Sequence, residues 1–551
     1  MPEVKITGDW WKWGDAPKRK SLLDYPRFKN HLEKLWDIEL NPKFAGYKSF
    51  NVITDEKRSE SVIRIFQHSF PSLIISGDPS LRLKKSIGKS YPELLSAASG
   101  TPIEIPDAVL FPKTHEEVQQ VLRIATENKI LVCPFGGGTN VVGAFKIPGR
   151  TNQARIAMDL SAMNQLLSLD SENHTAVFQC GISGPALEEI LNKRGFTLGH
   201  FPQSFEFSTL GGWLATRSSG QESSFYGRIE DMAISLKIAL PAGTVVAGGF
   251  EADAEGINTR HLFYGSEGMF GVITEAKLRI NPIPTGKKWS AFLFPDFQTG
   301  LKALQEMIQS GIAPTVIRYS DEQETYLHSL LSQDHSSAFS NMKSAFKKAI
   351  LKYKNLTHPA VMMMRIDGET SDARKKLAEK MLRKYDSFPI GESVGMKWES
   401  RRYDLPYLLD DMIQRGILVD TVETVLPWSK INQVRLSVYQ ALRECIAFNK
   451  EKGILLAHVS HVYHSSASIY FTMITLQDNI DPYTQWRNIK TLAVNTIVNN
   501  GGAISHHHSI GTDLQSWYVQ KMDSITKAML KSIKDTVDPE HILNPGKLFD
   551  E

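Results

Sequence analysis

The apolar and polar positions of the chain change character near Ile105. Residues 1–95 read as mostly helical and open with a cluster of tryptophans. A short strand, "DAVLFPKT", then leads to "HEEVQQVLRIATENK", a helix in which Val118, Leu122 and Ala125 recur at helical spacing. The apolar stretch "ILVCPF" follows as another strand. This order predicts a β-α-β unit that runs directly into a glycine-rich loop.

Short apolar stretches continue beyond that loop. The predicted strands are "ARIAMDL", "TAVFQCG", "MAISLKIAL", "TVVAGGF" and "GVITEAKLRI", and "SGPALEEILNKRG" between them reads as a helix with glycines near its start and end. From Pro282 onward, helices such as 298–310 and 371–385 alternate with β-rich stretches such as "AVMMMRI" and "SASIYFTMI". A final helix is predicted at about 513–537, before the loop "DPEHILNPGKLFD". The pattern predicts an α+β fold, and 551 residues are too many for one ordinary core.

Composition narrows the class of protein. Hydrophobic residues make up 42% and charged residues 22%, and the net charge is only +3, which argues against a nucleic-acid partner. The three cysteines are scattered without a CxxC pair, so we expect neither a disulfide framework nor a cysteine zinc site. No apolar run approaches the ~20 residues of a membrane span, and no signal-peptide core or peroxisomal tripeptide is seen. We therefore expect a reducing, cytoplasmic location.

The glycine-rich loop is "CPFGGGTNVV", from Cys133 to Val142. Consecutive backbone N–H groups without side chains form a cradle for phosphate, although a lone glycine triplet is more often a tight turn between strand and helix. Neither standard nucleotide fingerprint fits. GxGxxG fails because its last position is Val141, and the "GKS" at Gly88–Ser90 is not a P-loop because Leu83 stands where a glycine is required.

Two further segments carry small residues at the spacing that a large flat ligand and its pyrophosphate would need. They are "GHFPQSFEFSTLGGWLATRSSG" and "YGSEGMFGVITEA". Together with the loop, they resemble the FAD-binding domain of the vanillyl-alcohol-oxidase/PCMH flavoprotein superfamily. Several more specific stretches, "YGRIEDM", "APTVIRYSD", "ASIYF" and "GGAISHHHSIG", resemble the alkyldihydroxyacetonephosphate synthase family, from about residue 95 to the end.

The resemblance implies a two-subdomain PCMH-type FAD-binding domain at 96–285 and an α+β cap at 286–510. A helical N-terminal region at 1–95 and a C-terminal helix and tail at 511–551 complete the expected chain. It also implies non-covalent FAD, because the loop offers no histidine or cysteine beyond Cys133.

Three groups of residues are implied as cofactor contacts. The pyrophosphate would lie against Pro134, Phe135, Gly136, Gly137, Gly138, Thr139 and Asn140. The flavin and ribityl chain would contact Gln203, Ser204, Phe205, Glu206, Phe207, Ser208, Thr209, Ala215, Thr216, Arg217 and Ser218. The adenine side would be held by Glu267, Gly268, Met269, Phe270, Gly271, Val272 and Ile273.

The activity implied by the family is a transferase reaction of ether-lipid synthesis. The acyl group of acyl-dihydroxyacetone phosphate is exchanged for a fatty alcohol, and the flavin acts as an electron trap without net redox change. The matching catalytic residues are Tyr470, His506, His507, His508 and Arg318. A tyrosine with a pKa near ~10 is a poor base at neutral pH unless cationic neighbours lower its pKa, and the histidines could supply them.

The geometry of the histidines can be anticipated only for an extended backbone. There, His506 and His508 share a face and His507 points away, so at most two of the three face one site. Taken alone, a tyrosine such as Tyr470 is more often a core residue, and Arg318 would suit a surface salt bridge. In "AHVSHVYHSS", strand alternation turns His461 away from its neighbouring histidines, so we expect no metal site.

One departure from the family puts the substrate in question. The family binds substrate phosphate through an arginine, and anchoring on "ETVLPW" places Leu409 at that position. Arg401, Arg402 and Arg415 are the candidate substitutes. The alternative function is therefore an FAD-dependent 2-hydroxyacid dehydrogenase or oxidase, with His507 or His508 as base and Arg318 as carboxylate clamp. A non-enzymatic flavin-binding or lipid-binding protein is the third class.

The expected partners follow from the same resemblance. A lipid-like or small-molecule substrate and a homodimer are implied. The segment "SAFKKAILKYKNL", residues 344–356, reads as a basic amphipathic helix, and either a solvated face or a peripheral membrane contact would explain it.

Overall fold

The computed structural model describes residues 3–5, 9–14, 16–44, 49–147, 149, 152–331, 356–445 and 452–549. The basic segment predicted at 344–356 therefore lies almost wholly outside the described residues. Within the described residues there are eighteen α-helices, α1 to α18: Pro26–Trp36, Glu56–Ser69, Pro79–Lys84, Tyr91–Ser99, His115–Glu127, Gly184–Asn192, Leu210–Thr216, Ser223–Tyr226, Ile229–Met232, Phe297–Gln309, Glu322–Leu331, Ser371–Leu382, Ser393–Arg401, Leu405–Gln414, Ile431–Glu444, Pro482–Asn499, Gln515–Lys521 and Ser524–Val537.

The same residues form twenty-one strands, β1 to β21. Their bounds are Glu3–Lys5, Ser49–Ile53, Ile74–Ser76, Ile103–Glu104, Ala108–Phe111, Leu131–Phe135, Arg155–Asp159, Leu166–Asp170, Thr175–Gln179, Phe196–Thr197, Ala233–Leu240, Gly243–Gly248, Val272–Arg279, Asn281–Pro282, Lys288–Phe294, Val316–Ser320, Ala360–Ile366, Phe388–Gly391, Ile417–Pro427, Ile454–Val462 and Ser466–Leu476.

The first domain is built on two sheets. One has the order β3-β5-β7-β6, in which β5, β7 and β6 are parallel. The other is antiparallel, in the order β12-β11-β13-β9-β8. Helix α5 joins β5 to β6 as the predicted β-α-β unit; Thr114 caps its N-terminus, and its apolar stripe is buried against the first sheet. These two sheets are the two subdomains that the sequence predicts.

The cap is one antiparallel sheet of seven strands, in the order β18-β15-β17-β16-β20-β21-β19. Helices α10, α12, α15 and α16 bury their apolar faces against one side of it. On the other side, α1, α11 and α14 pack against the strand ends at Ile417, Leu456 and Ile474. Because side chains alternate along a strand, every second cap residue is directed away from the main helical layer.

The chain ends return to parts that are distant in sequence. Residues 1–95 include strands as well as helices, and β3 pairs with β5 of the first domain. At the other end, Leu543 bridges to Val132 in β6, and the ammonium of Lys534, fully buried, donates to Leu543 O and Met269 O. The domain boundaries given above stay predictions.

One local difference from the predicted elements has a clear cause. The last predicted helix is two helices, α17 and α18, because the Asp523 side chain accepts a hydrogen bond from Thr526 N–H and begins a new helix there. Among the described residues, no helix combines the length and the apolar composition needed to cross a bilayer.

Candidate active site

A cavity of about 470 Å³ lies between the first domain and the cap. The glycine loop and the segment that begins helix α7 form one wall, which is called the cofactor wall below. The face of the cap sheet turned away from the main helical layer forms the opposite wall. The residues implied for the cofactor and those implied for catalysis therefore meet in one space.

The glycine loop packs closely against residues 207–209. A Cβ at Gly137 would lie 2.0 Å from Phe207 O, and one at Gly136 would lie 2.3 Å from Thr209 Oγ1. Gly138 has φ +65°, which favours glycine. Gly136 and Gly137 are therefore required so that the loop can pack closely against residues 207–209. This packing leaves the backbone of the loop facing the cavity.

Most of the implied cofactor contacts line the cavity. The residues that do so are Pro134, Phe135, Gly136, Gly137, Gly138, Thr139, Asn140, Gln203, Ser204, Ser208, Thr209, Ala215, Thr216, Ser218, Glu267, Gly268, Gly271, Val272 and Ile273. On the same wall, Gln221 Oε1 and Asn544 Oδ1 are buried without a hydrogen-bond partner among the described residues. Such atoms are normally satisfied, so this cradle with open polar atoms fits a bound dinucleotide.

Three implied contacts between 203 and 209 lie behind the cavity wall. Phe205 is buried in the core of the antiparallel sheet. Glu206 accepts a hydrogen bond from the hydroxyl of Tyr407 at 2.5 Å, and Phe207 packs against the ring of Trp13 with centroids 5.4 Å apart. These three side chains join the first domain to the cap and to the N-terminal segment, and their cofactor contacts stay predictions.

Three more implied contacts also lie outside the lining. Arg217 has φ +53°, ends helix α7 and forms an ion pair with Glu230 at 3.1 Å. Met269 and Phe270 are buried in the core of the antiparallel sheet. Core packing and an ion pair occupy these side chains, and their cofactor contacts likewise stay predictions.

Strand alternation places the cap residues. On β16 and β21 the residues Ile317, Tyr319, Ile469 and Phe471 are buried against the helices. The polar residues between such core positions line the cavity instead: Arg318, Thr421, His458, Tyr470 and Thr472. The His458 ring stacks on Tyr470, with centroids 5.0 Å apart and 24° between planes. Tyr470 is therefore not packed in the core, and its accessible surface faces the cavity.

A β-bulge brings His461 to the same cavity as His458. Val459 pairs with Ile469, but His461 pairs with Ser468, so one additional residue is accommodated in β20. A bulge changes which side chains face each side of a sheet. The expectation that His461 turns away from His458 is therefore wrong, and both residues line the cavity.

Arg318 is held by a buried acid. Its Nη2 donates to Glu324 Oε1 at 2.5 Å, and the Arg318 side chain is only 14% exposed. His458 Nδ1 lies 3.1 Å from the same carboxylate oxygen. Burial alone would raise the pKa of Glu324, but Arg318 and His458 outweigh it and hold this pKa well below its usual range. The surface salt bridge considered for Arg318 is excluded, and a permanent cation stands in the cavity wall.

The three consecutive histidines are held by one carboxylate, that of Glu423. Its Oε1 accepts hydrogen bonds from the N–H groups of His507 and His508, both at 2.9 Å, and from Ser505 Oγ at 2.7 Å. Its Oε2 accepts from His506 N–H at 2.6 Å. Burial would raise the pKa of Glu423, but the histidines and backbone donors around it hold this pKa well below its usual range. Sequence reasoning used "ETVLPW" only as an alignment anchor and missed this role.

The backbone of residues 505–508 turns around the Glu423 carboxylate, and this turn decides which histidines reach the cavity. His507 and His508 line it side by side next to Tyr470, with ring centroids 6.1 Å and 5.4 Å from that of the tyrosine. His506 instead lies against Tyr463, whose hydroxyl is 2.6 Å from its Nε2. The prediction that His506 and His508 share a face is wrong, because the backbone turns around Glu423 and is not extended.

Burial sets the charge of these groups. It lowers the pKa of His507 to about 3 and also lowers that of His508, so both imidazoles are neutral near pH 7. Burial raises the pKa of Tyr470, with only weaker opposition from Thr421 and Arg318. The expected lowering of the tyrosine pKa by cationic histidines is therefore not found. Tyr470 keeps its proton beside two neutral imidazoles.

His461, His506 and His507 could each offer one nitrogen to a metal ion, since these atoms lie within 4.8 Å of one another. However, His461 Nε2 already lies 3.0 Å from Gly220 O, and its Nδ1 lies 2.9 Å from Ser460 Oγ. The nitrogens are thus engaged by the protein, and the absence of a metal stays a prediction.

One arm of the cavity is apolar. It runs between helices α1, α11 and α14 and the cap sheet, and its lining includes Phe28, Leu327, Leu331, Leu405, Leu408, Leu409, Met412, Leu456 and Ile474. The three arginines considered as substitutes for an arginine at position 409 form ion pairs with other residues and do not line the cavity. Arg401 pairs with Asp404, Arg402 with Glu222 and Arg415 with Asp411.

Comparison with known proteins agrees with this architecture. Residues 106–249 match the family model described as "FAD binding domain", and residues 283–548 match "FAD linked oxidases, C-terminal domain". The fold and the cradle thus define an FAD-dependent enzyme of the vanillyl-alcohol-oxidase/PCMH type. A structure of p-cresol methylhydroxylase shares this fold, with a TM-score of 0.67 at 15% identity over 91% of this chain and 99% of that one.

Closer similarity identifies the family within that class. Alkyldihydroxyacetonephosphate synthase of Dictyostelium discoideum is 34% identical over 86% of this chain and 78% of its own length, and that of Trypanosoma brucei brucei is 32% identical over the same shares. A crystal structure of an alkyldihydroxyacetonephosphate synthase has a TM-score of 0.81 at 29% identity, covering 97% of this chain and 98% of that one. The chain belongs to the alkyldihydroxyacetonephosphate synthase family. FAD-linked oxidoreductases match at lower identity, for example D-lactate dehydrogenase of Arabidopsis thaliana at 26% over 81% of this chain and 74% of its own length.

Proposed function

We propose that this protein exchanges the acyl group of acyl-dihydroxyacetone phosphate for a fatty alcohol, as the names of its relatives imply. The observation that carries the proposal is the position of Tyr470. It lies beside two neutral histidines that adjoin each other, where the cofactor wall meets an apolar arm suited to an alkyl chain. A lipid chain in that arm would bring its polar end to the tyrosine.

The cavity residues supply proton transfer and charge. Bound FAD would supply an electron sink for the reacting carbon. Neutral His507 or His508 accepts the proton that this carbon loses, because an unprotonated imidazole has a free lone pair. Tyr470, which keeps its proton, donates it to the acyl oxygen, so that the acyl group leaves as a fatty acid. The alcohol oxygen then bonds to the same carbon, the alcohol's proton restores Tyr470, and the histidine returns the proton that it took from the carbon. Arg318 stays charged beside Glu324 and stabilises negative charge that develops on the substrate.

The test is exchange of label in the FAD-loaded protein. Radiolabelled hexadecanol incubated with palmitoyl-dihydroxyacetone phosphate is expected to yield a labelled product that resists alkaline hydrolysis, since an ether forms where the ester was. Oxygen consumption and net flavin reduction should stay at the level of the enzyme without substrate. Absence of labelled ether would overturn the proposal.

The runner-up, a 2-hydroxyacid dehydrogenase, is favoured by one observation: Leu409 stands where the family's phosphate-binding arginine is expected. In that function Arg318 would clamp the substrate carboxylate, and a histidine would take its proton. Anaerobic addition of D-lactate or glycolate distinguishes the two functions. Bleaching of the flavin by a hydroxyacid, without alcohol exchange, would select the dehydrogenase.

Assembly and location are part of the proposal. A homodimer, peripheral membrane contact and a cytoplasmic location would suit an enzyme that takes lipid substrates from a bilayer. Light scattering coupled to size exclusion is expected to give twice the 61.8 kDa mass of the chain. Flotation with anionic lipid vesicles tests the membrane contact, and a fluorescent fusion tests the location.

A further inference from the structure

Lys89 stands in the cavity wall, and no role described above uses it. It lies between Gly88 and Ser90, just before helix α4, in the "GKS" that is not a P-loop. Its backbone N–H donates to Asn140 O of the glycine loop at 2.6 Å, which fixes its place beside the cofactor wall. Lys89 and Leu409 line the same cavity.

The ammonium of Lys89 is held without a direct ion pair. Its Nζ donates to the carbonyl oxygens of Trp11 and Lys12, and it lies 5.4 Å from the centroid of the Trp13 ring. No carboxylate within the described residues lies within ion-pair distance of it. An ammonium has three N–H groups, so one remains for a ligand.

Two more polar atoms at this place are left open. Asp410 is buried, and its Oδ2 accepts the N–H of Trp13 at 2.6 Å, but its Oδ1 has no hydrogen-bond partner among the described residues. Trp13 lines the cavity and is only 5% exposed, yet its Nε1–H has no partner within the same residues. Buried polar atoms are normally hydrogen-bonded, so the open indole N–H of Trp13 beside the Lys89 ammonium indicates a group bound in the cavity.

The chemistry of the cluster selects the ligand. An ammonium and an indole N–H donate, and both suit the oxygens of an anion. Asp410 is not among the residues that line the cavity, so its open oxygen is not placed against the ligand. Leu409 directly precedes Asp410 on helix α14, so this cluster adjoins the position where the family has its phosphate-binding arginine.

We propose that Lys89, assisted by Trp13, binds the phosphate group of the substrate and replaces the arginine absent at position 409. This assignment rests on the proposed function for the nature of the substrate. Burial lowers the pKa of Lys89 to about 8, partly opposed by Asp410 and Glu93, so the lysine stays mainly protonated near pH 7. The other phosphate within reach of this wall is the pyrophosphate of FAD, and the experiment separates these two sources.

The experiment compares the FAD-loaded wild type with Lys89→Met, which keeps the length of the side chain and removes its charge. The matched control is Lys12→Met, because Lys12 pairs with Asp9 and lies outside the cavity lining. A charge-assisted hydrogen bond to phosphate predicts a rise of about tenfold to hundredfold in KM for palmitoyl-dihydroxyacetone phosphate. The KM for hexadecanol and the flavin content should not change, and Lys89→Arg should remain within a few-fold of wild type.

A gain of function completes the test. Adding Leu409→Arg to Lys89→Met is expected to recover most of the lost affinity for the phosphate substrate. An unchanged KM in Lys89→Met would overturn the proposal. Loss of flavin from that variant would also overturn it, since the lysine would then serve the cofactor.

Binding of inorganic phosphate tests the Lys89 site independently of the proposed reaction. Its binding is followed by flavin absorbance and tryptophan fluorescence, which do not require turnover. If the wild type lacks exchange activity but binds phosphate at least tenfold more tightly than Lys89→Met, the phosphate site stands and the reaction is a different one. If both proteins bind phosphate equally, the site is refuted whatever the reaction.

Discussion

Glu423 is the residue through which the position of the three histidines can be tested most directly. Its carboxylate is 3% exposed and accepts three backbone N–H groups and one hydroxyl. In Glu423→Gln one oxygen can keep its three donors, but the new NH₂ group then faces the N–H of His506. The side chain keeps its shape, but the hydrogen bond from His506 N–H to a charged oxygen is replaced by two N–H donors that face each other.

The cost of this change can be estimated from these bonds. A hydrogen bond to a charged group contributes about 1.5–3 kcal/mol, and a buried N–H left without an acceptor costs about 1–3 kcal/mol more. Allowing for relaxation, we expect a loss of about 3 kcal/mol in the free energy of unfolding. For a domain of roughly 200 residues that lowers Tm by about 6–12 °C.

Activity should fall more than flavin content. The histidines beside Tyr470 lose their fixed positions, so kcat for alcohol exchange is expected to drop about 100-fold, while the cofactor wall is untouched. Asp420→Asn is the matched control, since Asp420 lies on the same strand and pairs with Lys490 but does not hold the histidines. Wild-type Tm and kcat in Glu423→Gln would refute the role given to this carboxylate.

The same variant predicts a pH dependence. The pKa of Glu423 is lower in the folded protein than its usual value of 4.5, so its ionised form stabilises the fold above about pH 4.5. That contribution is lost as the pH falls toward the folded-state pKa. The difference in Tm between wild type and Glu423→Gln should therefore be constant from about pH 5 to 8 and shrink below about pH 4.

Three further predictions concern the cofactor and the acid–base residue. Tyr470→Phe should retain FAD and lower the exchange rate by about 10²–10⁴-fold, as loss of a general acid would; a wild-type rate would assign proton transfer to the histidines. Gly137→Asp should purify without flavin absorbance, since its Cβ would lie 2.0 Å from Phe207 O, whereas Gly249→Asp, with open space around it, should stay yellow. Acid precipitation of the wild type should release the yellow colour into the supernatant, and colour in the pellet would show a covalent link.

Local patterns predicted much of the fold and the cavity wall. The helical spacing around Val118 and the strands on each side of it give the β-α-β unit, and the glycine loop follows because β6 ends there. Strand alternation likewise accounts for Arg318 and Tyr470, since their neighbours are apolar and face the core. In each case, residues adjacent in sequence decide the outcome.

Long-range contacts decided what local patterns could not. The turn at His506–His508 depends on Glu423, which lies on a strand more than 80 residues earlier. The bulge in β20 depends on how the strand pairs with β21, and "HVSHV" contains no glycine to announce it. Lys89 and Asp410 are brought near each other only when helix α14 packs against helix α4.

The return of the C-terminal segment to β6 has a consequence for synthesis. Val132 acquires its bridge to Leu543 only after nearly the whole chain has left the ribosome. Part of the sheet of the nascent first domain therefore stays uncovered while the cap is translated. An expression fragment that stops after residue 285 would leave that surface uncovered, and fusing residues 511–549 to it through a flexible linker is expected to cover the surface again.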